Sequence, residues 1–261
     1  MRLIHPYHLV TNSTWPIITS ISMLSMAISL VLTMHNKEYG EYILIASIGS
    51  IIVSVIAWLQ DITIEGTYRG EHTIKVQKGL TLGFILFVIS EVCIFLSLFF
   101  AYFYNSLVPG VEVGSIWPPV GIVTLDYKAV PLVNTIILLS SGFSITASHN
   151  FMITRSYSKA YLYLFLTILL GVLFTVLQYV EYTNAYFTIA DSVYGSSFFI
   201  LTGCHALHIL VGTSFLLVTL ARMALSHFTN TRHLLFTYSA IYWHMVDAVW
   251  LVLFVVVYCW A

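Results

Sequence analysis

Two carboxylates lie inside otherwise uncharged apolar stretches of this sequence. Glu91 is the only charged residue between Lys78 and Glu112, and Asp247 is the only one between Arg232 and residue 261 when histidine is counted as neutral. Each stretch is long enough to cross a bilayer, so both acids are expected at membrane depth. An ionisable group there is costly and is usually paired, neutral or part of a functional site.

Three histidines are candidate hydrogen-bond partners for Asp247. His244 lies three residues before Asp247, and His205 and His208 lie three residues apart on the preceding apolar segment. Residues three apart share one face of a helix. We therefore expect Asp247 to be hydrogen-bonded inside the protein, with His244, His205 or His208 as its partner.

Glu91 has no positive partner nearby in the sequence, and apolar residues lie around it: Val88, Ile89, Val92, Ile94 and Phe95. Apolar surroundings disfavour the charged form of a carboxyl group. We expect Glu91 to be protonated at neutral pH and hydrogen-bonded to a hydroxyl or an imidazole of another helix, rather than ion-paired.

The histidines of the apolar segments admit three interpretations. Ligation of haem or another metal would need several of these imidazoles to converge. Alternatively, the same groups join helices by hydrogen bonds, or form a proton relay with the acids. Spacing alone leaves these interpretations open for His149, His205, His208 and His244.

Composition indicates a polytopic membrane protein. The 261 residues are 59% hydrophobic and 8% charged, with a mean hydropathy of +0.91, whereas a soluble domain carries about 25% charged residues. The formal net charge of −1 gives no indication of a nucleic-acid partner. Seven apolar segments are long enough to span a bilayer as helices. They lie near residues 15–34, 42–59, 79–104, 129–151, 160–180, 197–221 and 234–260.

The basic residues predict an orientation. Eight of the ten Lys and Arg residues lie on the side that holds the N-terminus and the loops after spans two, four and six. The positive-inside rule places that side towards the cytoplasm or the mitochondrial matrix. Five histidines fall there as well, and they are either solvated or collect protons at the membrane surface: His5, His8, His72, His227 and His233. Glu181 is expected in a loop on the opposite side.

Short motifs along the whole chain carry a resemblance to a known family. The motifs are His5-Pro-Tyr-His-Leu-Val10, Lys75-Val-Gln-Lys-Gly-Leu80, Ser90-Glu91, Trp117-Pro-Pro-Val-Gly-Ile122, Pro131-Leu-Val-Asn-Thr135, Thr188-Ile-Ala-Asp-Ser-Val-Tyr-Gly-Ser196, Thr202-Gly-Cys-His-Ala-Leu-His208 and Tyr242-Trp-His-Met-Val-Asp247. In this order and at these spacings, the chain resembles subunit III of mitochondrial cytochrome c oxidase.

The resemblance implies an all-α membrane protein made of one membrane domain over residues 1–261. A two-helix hairpin (about 15–59) and a five-helix bundle (about 79–260) would be separated by a lipid-filled cleft. The chain would be a non-redox core subunit of the mitochondrial inner membrane, with its N-terminus in the matrix and its C-terminus in the intermembrane space. It would stabilise subunit I, bind phospholipid and support proton uptake while cytochrome c reduces oxygen to water.

The same resemblance implies partners and excludes a cofactor in this chain. Subunit I would be the direct partner, and subunit II and accessory subunits would belong to the same complex. Cytochrome c would be a partner only through that complex. Haem and copper would lie in partner subunits, with no metal and no catalytic residue here. We further expect Arg222, helped by His227 or Arg69, to bind a phospholipid phosphate in the cleft. The alternative function is a free-standing proton-coupled transporter built on Glu91, Asp247 and the histidines.

Overall fold

Seven α-helices account for most of the chain in the computed structural model, which describes residues 6–260 apart from the side chain of Glu112. The helices are α1 (Trp15–Met34), α2 (Gly40–Thr67), α3 (Ile74–Leu107), α4 (Val130–Ile153), α5 (Tyr157–Thr183), α6 (Val193–Ala224) and α7 (Leu234–Leu253). A π-helix, Phe254–Cys259, continues α7. By length and composition, all seven can cross a membrane, and this part of the chain contains no strand. The predicted all-α membrane fold is confirmed.

Several helices are longer than the apolar segments that predicted them. The second segment ends near residue 59 in the sequence, but α2 continues to Thr67 through Asp61 and Glu65. A helix continues as long as its backbone hydrogen bonds continue. Polar residues can therefore extend a helix wherever their side chains reach a polar environment. A rule based on the distance between charges therefore ends such helices too early.

The chain divides into two compact units, residues 1–82 and 83–261. In the first unit α1 and α2 form an antiparallel hairpin joined by small hydroxyl side chains. The Oγ atoms of Ser22 and Ser50 are 2.7 Å apart, and Thr19 Oγ1 lies 3.1 Å from Ser54 Oγ. Small residues allow membrane helices to approach closely.

In the second unit α4 packs against α5 and α7, while α6 packs against α5 and α7. Trp243 of α7 lies in the middle of this arrangement and is 1% exposed. Its indole Nε1–H donates to Ser141 Oγ of α4 at 2.8 Å. A Cβ atom at Gly171 of α5 would lie 2.7 Å from the Trp243 ring, and one at Gly212 of α6 would lie 3.1 Å from it. The two glycines thus make room for the indole between three helices.

Candidate functional site

The carboxyl group of Glu91 meets an imidazole from another helix. Glu91 Oε2 of α3 lies 2.6 Å from His208 Nε2 of α6, and the two side chains are 16% and 13% exposed. The expectation that another helix supplies a hydrogen-bonding partner for this acid is met by a histidine.

The second ring nitrogen of His208 limits how protons are distributed in this pair. Nδ1 lies 2.7 Å from the carbonyl oxygen of Cys204, which can only accept, so Nδ1 carries a proton and donates it. One further proton then lies between Nε2 and Oε2. It belongs either to a neutral carboxyl that donates to a neutral imidazole or to an imidazolium that donates to a carboxylate. The pair is therefore a site that can hold and exchange one proton.

Aromatic rings surround this pair. The Phe95 ring centroid is 4.8 Å from that of His208, and the Tyr242 ring stacks at 6.4 Å on the same imidazole. Phe87, one turn before Glu91 on α3, stacks against Tyr242 at 6.2 Å. The rings restrict water around the pair, and an electrostatic interaction is stronger where water is excluded.

Asp247 does not find the histidine partner predicted for it. Its side chain faces α4, where a Cβ atom at Gly142 would lie only 2.6 Å from Asp247 Oδ2. The residue is 9% exposed, and within residues 6–260 its buried Oδ1 has no hydrogen-bond partner. The absence of a side chain at Gly142 gives the carboxyl group its space against α4.

The three histidines proposed as partners of Asp247 bind elsewhere. His244 Nε2 lies 3.2 Å from Thr146 Oγ1. The Thr146 hydroxyl donates its proton to the Gly142 carbonyl, so its oxygen accepts a hydrogen bond from His244 Nε2. His205, fully buried, lies with Nε2 3.2 Å from the Val246 carbonyl of α7. His208 binds Glu91. The predicted His–Asp hydrogen bond is wrong, because a shared helix face does not decide which group each ring nitrogen meets.

The candidates for haem or metal ligation do not converge. His205, His208 and His244 have the separate partners given above. The fourth candidate, His149, has its Nε2 atom 3.3 Å from His233 Nε2, and its ring stacks on that of Phe236 with the centroids 5.4 Å apart. In the described part of the chain, the group of His, Cys, Asp and Glu side chains close enough to share a metal ion is a different one, His8, Glu65 and Glu71. His5, predicted on the same membrane side, lies outside the described residues.

The sequence prediction missed a third buried acid. Glu181, expected in a loop, lies in the last turns of α5, is 3% exposed and accepts a 2.7 Å hydrogen bond from the Tyr258 hydroxyl. Tyr258 belongs to the π-helix, a rare element frequently found at functional sites. Only the apolar and aromatic residues near Glu181, such as Tyr179, Val180 and Tyr182, could have indicated its burial.

The residues predicted to bind lipid lie at helix ends. Arg222 is in the last turn of α6, and its guanidinium carbon lies 5.1 Å from the centroid of the Phe228 ring. The helix ends in a Schellman motif, in which Ser226 has a φ of +56° and the His227 N–H donates to the Arg222 carbonyl at 3.0 Å. Arg69 follows α2 in the first unit and is exposed. The motif fixes Arg222 and His227 next to each other.

Comparisons with known proteins agree with the resemblance. A family model described as "Cytochrome c oxidase subunit III" matches residues 5–261. Three similar proteins bear the name "Cytochrome c oxidase subunit 3". That of Allomyces macrogynus is 49% identical over 257 residues, covering 98% of this chain and 94% of the relative. Those of Patiria pectinifera and Paracentrotus lividus are 47% and 48% identical, covering 98% of this chain and 97% of each relative. These matches give no support to a free-standing transporter.

Proposed function

This chain belongs to the cytochrome c oxidase subunit III family, and we propose that it stabilises subunit I directly, binds phospholipid and supports proton uptake by the oxidase. It is a multi-pass core subunit of that complex in the mitochondrial inner membrane. Subunit II and accessory subunits share the complex, and cytochrome c meets it through the other subunits. The N-terminus faces the matrix in this proposal.

The observation that carries the role in proton uptake is the Glu91–His208 pair. Its geometry holds one exchangeable proton between two side chains, 2.6 Å apart, in surroundings where ionisable groups are rare. The pair takes up or releases that proton without any change in oxidation state. Such a group tunes proton delivery to the oxidase, while the reduction of oxygen takes place at the redox centres of partner subunits.

We assign no haem or copper to this chain. Support comes from the four candidate histidines, each of which has its Nε2 atom within hydrogen-bonding distance of another protein group. His205 binds a backbone carbonyl, His208 a carboxyl group and a carbonyl, and His244 a threonine hydroxyl. The electrons pass through groups held by partner subunits.

Phospholipid binding rests on Arg222 and His227, with Arg69 as a second basic group. The planar guanidinium fork binds phosphate bidentately, which suits Arg222 to a lipid headgroup at a helix end. Arg222→Ala should reduce the phospholipid that co-purifies with the oxidase and shorten its working life during turnover. Arg232→Ala, an exposed arginine after α6, is the matched control and should change neither. Equal lipid content in all three proteins would contradict the assignment.

The experiment that tests the proposed function is purification of a tagged chain in a mild detergent, with identification of the co-purifying proteins. We expect subunit I to remain bound after other subunits have been stripped away, and haem absorbance to follow subunit I. A folded chain that purifies alone, or that separates from subunit I first, would contradict the proposal.

A further inference from the structure

His8, Glu65 and Glu71 form one polar cluster in the first unit, on the membrane side that carries most of the basic residues. His8 Nε2 lies 3.3 Å from Glu65 Oε2, and His8 Nδ1 lies 3.0 Å from Glu71 Oε2. One ligand atom from each of the three residues lies within 4.8 Å of the others. The side chains are 12–22% exposed, so the cluster is largely enclosed yet reachable from solvent.

We propose that these three side chains bind a divalent transition-metal ion, with Zn²⁺ as the best fit. Zinc takes imidazole nitrogen and carboxylate oxygen at about 2.0–2.2 Å, so tetrahedral ligand atoms lie about 3.4 Å apart. With one ring nitrogen of His8 as ligand, the three candidate atoms lie within 4.8 Å of one another, so small side-chain rotations would bring them to that spacing. Two carboxylates balance the charge of the ion, and the imidazole favours zinc over Ca²⁺ or Mg²⁺, which prefer oxygen ligands.

Neighbouring hydrogen bonds orient the ligands. Thr11 Oγ1 donates to Glu65 Oε1 at 3.5 Å, which leaves Oε2 directed at His8. One turn earlier on α2, Asp61 Oδ2 accepts from Trp15 Nε1 at 2.7 Å, so the start of α1 is also attached to α2 next to the cluster. Such outer contacts fix ligand orientation and typically change metal affinity by about 10–100-fold.

The ion would act as a cross-link rather than as a catalyst. Its ligands come from three parts of the chain: the segment before α1, the last turns of α2 and the turn between α2 and α3. Three protein ligands leave the fourth position to water, and no redox step is involved. This site is absent from the sequence-based expectation, which assigned no metal to the chain. The competing interpretation is an imidazolium held between two carboxylates.

Zinc binding to the purified oxidase tests the proposal. The complex is stripped with a chelator, equilibrated with ⁶⁵Zn²⁺ and compared with complexes that carry His8→Ala or Glu71→Gln. We expect each variant to bind one zinc equivalent fewer than wild type. The matched controls are His35→Ala and Glu41→Gln, exposed residues at the opposite end of the α1–α2 hairpin, which should bind as much as wild type. Equal zinc content in wild type and both ligand variants would overturn the proposal.

A ligand exchange separates metal binding from an ion pair. Glu71→His keeps a zinc ligand but cannot pair with a protonated His8, so zinc binding should be retained in Glu71→His and lost in Glu71→Gln. Loss in both variants would overturn the ligand assignment of residue 71. If a ligand variant fails to assemble, Thr11→Val can test the site instead. Removal of the hydrogen bond from Thr11 to Glu65 should weaken zinc binding by about 10-fold or more. Unchanged affinity in Thr11→Val would count against the proposed ligand orientation.

Discussion

At the scale of single residues, Glu91 and His208 show how an acid is accommodated among apolar helices. The carboxyl group has one close partner, and that partner is itself oriented by the Cys204 carbonyl. A buried polar group with a partner avoids the desolvation cost of about 1–3 kcal/mol that an unpaired group carries. The pair is thereby stable in the bundle and remains able to exchange its shared proton.

We predict that the shared proton lies on the carboxyl group of Glu91, which donates it to His208 Nε2. Infrared spectra of wild type minus Glu91→Gln oxidase should contain a protonated carboxyl band that the variant lacks. Ser90→Ala, an exposed neighbour whose hydroxyl bonds its own helix, is the control and should keep the band. A carboxylate band for Glu91 would instead indicate an imidazolium–carboxylate pair.

Asp247 is the contrasting residue, because its buried Oδ1 has no partner in the described part of the chain. Removal of this carboxyl group therefore costs no hydrogen bond, and Asp247→Ala should assemble at close to the wild-type level. This replaces the sequence-based expectation of a broken His–Asp bond. Normal assembly of Asp247→Ala combined with a loss of proton pumping would instead indicate a proton relay.

We predict energetic coupling between Gly142 and Asp247. Gly142→Ala should lower the stability of the complex, because the new Cβ would lie 2.6 Å from Asp247 Oδ2. Asp247→Ala should relieve that contact, giving a coupling free energy on the order of 0.5–3 kcal/mol in a double-mutant cycle of thermal stability. Additive effects of the two substitutions would show that the two helices adjust freely here.

At the scale of helices, Trp243 organises the second unit. Its indole hydrogen-bonds to α4 and lies against glycines of α5 and α6, so a single α7 side chain contacts three helices. Because interiors are close-packed, extra atoms in such a contact force side chains or backbone to move.

We predict that Gly171→Ala destabilises the complex by about 1–3 kcal/mol. The added Cβ would lie 2.7 Å from both the Trp243 ring and Thr213 Cγ2, and both partners are buried. This cost exceeds the gain of about 1 kcal/mol in helix propensity. Gly203→Ala is the matched control, since its Cβ would meet nothing within 4 Å, and it should be neutral or slightly stabilising. Equal thermal stability of the two variants would contradict the packing role of Gly171.

Much of this element-level description could be predicted from the sequence. All seven spans follow from apolar length. Partner identity could not be predicted for Asp247, because it depends on the rotation of α4 and α7 about their axes. The burial of Glu181 depends on Tyr258, 77 residues away along the chain, which the π-helix places against it.

At the scale of the whole molecule, the basic residues predict which membrane face is which. The predicted topology puts eight of ten Lys and Arg residues on one side of the membrane, and by the positive-inside rule we infer that this side faces the matrix. If all seven helices cross the membrane, the odd number of spans predicts termini on opposite sides. The same assignment puts the proposed cation site on the matrix face.

We predict that a tag after residue 261 is digested by protease in mitoplasts, because the proposed orientation puts the C-terminus in the intermembrane space. A tag at the N-terminus, protected in the same preparation and digested once the inner membrane is opened, is the control. A C-terminal tag that stays protected in mitoplasts would reverse the orientation.

The most direct test of a supporting role in the oxidase is the rate of oxygen consumption by assembled Glu91→Gln complex. The glutamine amide can still donate to His208 Nε2 but cannot release a proton, so turnover should fall by less than about 10-fold, a barrier change of under ~1.4 kcal/mol. The two oxygen-consumption rates are comparable only if the haem spectrum and the subunit content of the Glu91→Gln complex match those of wild type. Complete loss of oxygen reduction in such a complex would place Glu91 in the obligatory chemistry and contradict the account.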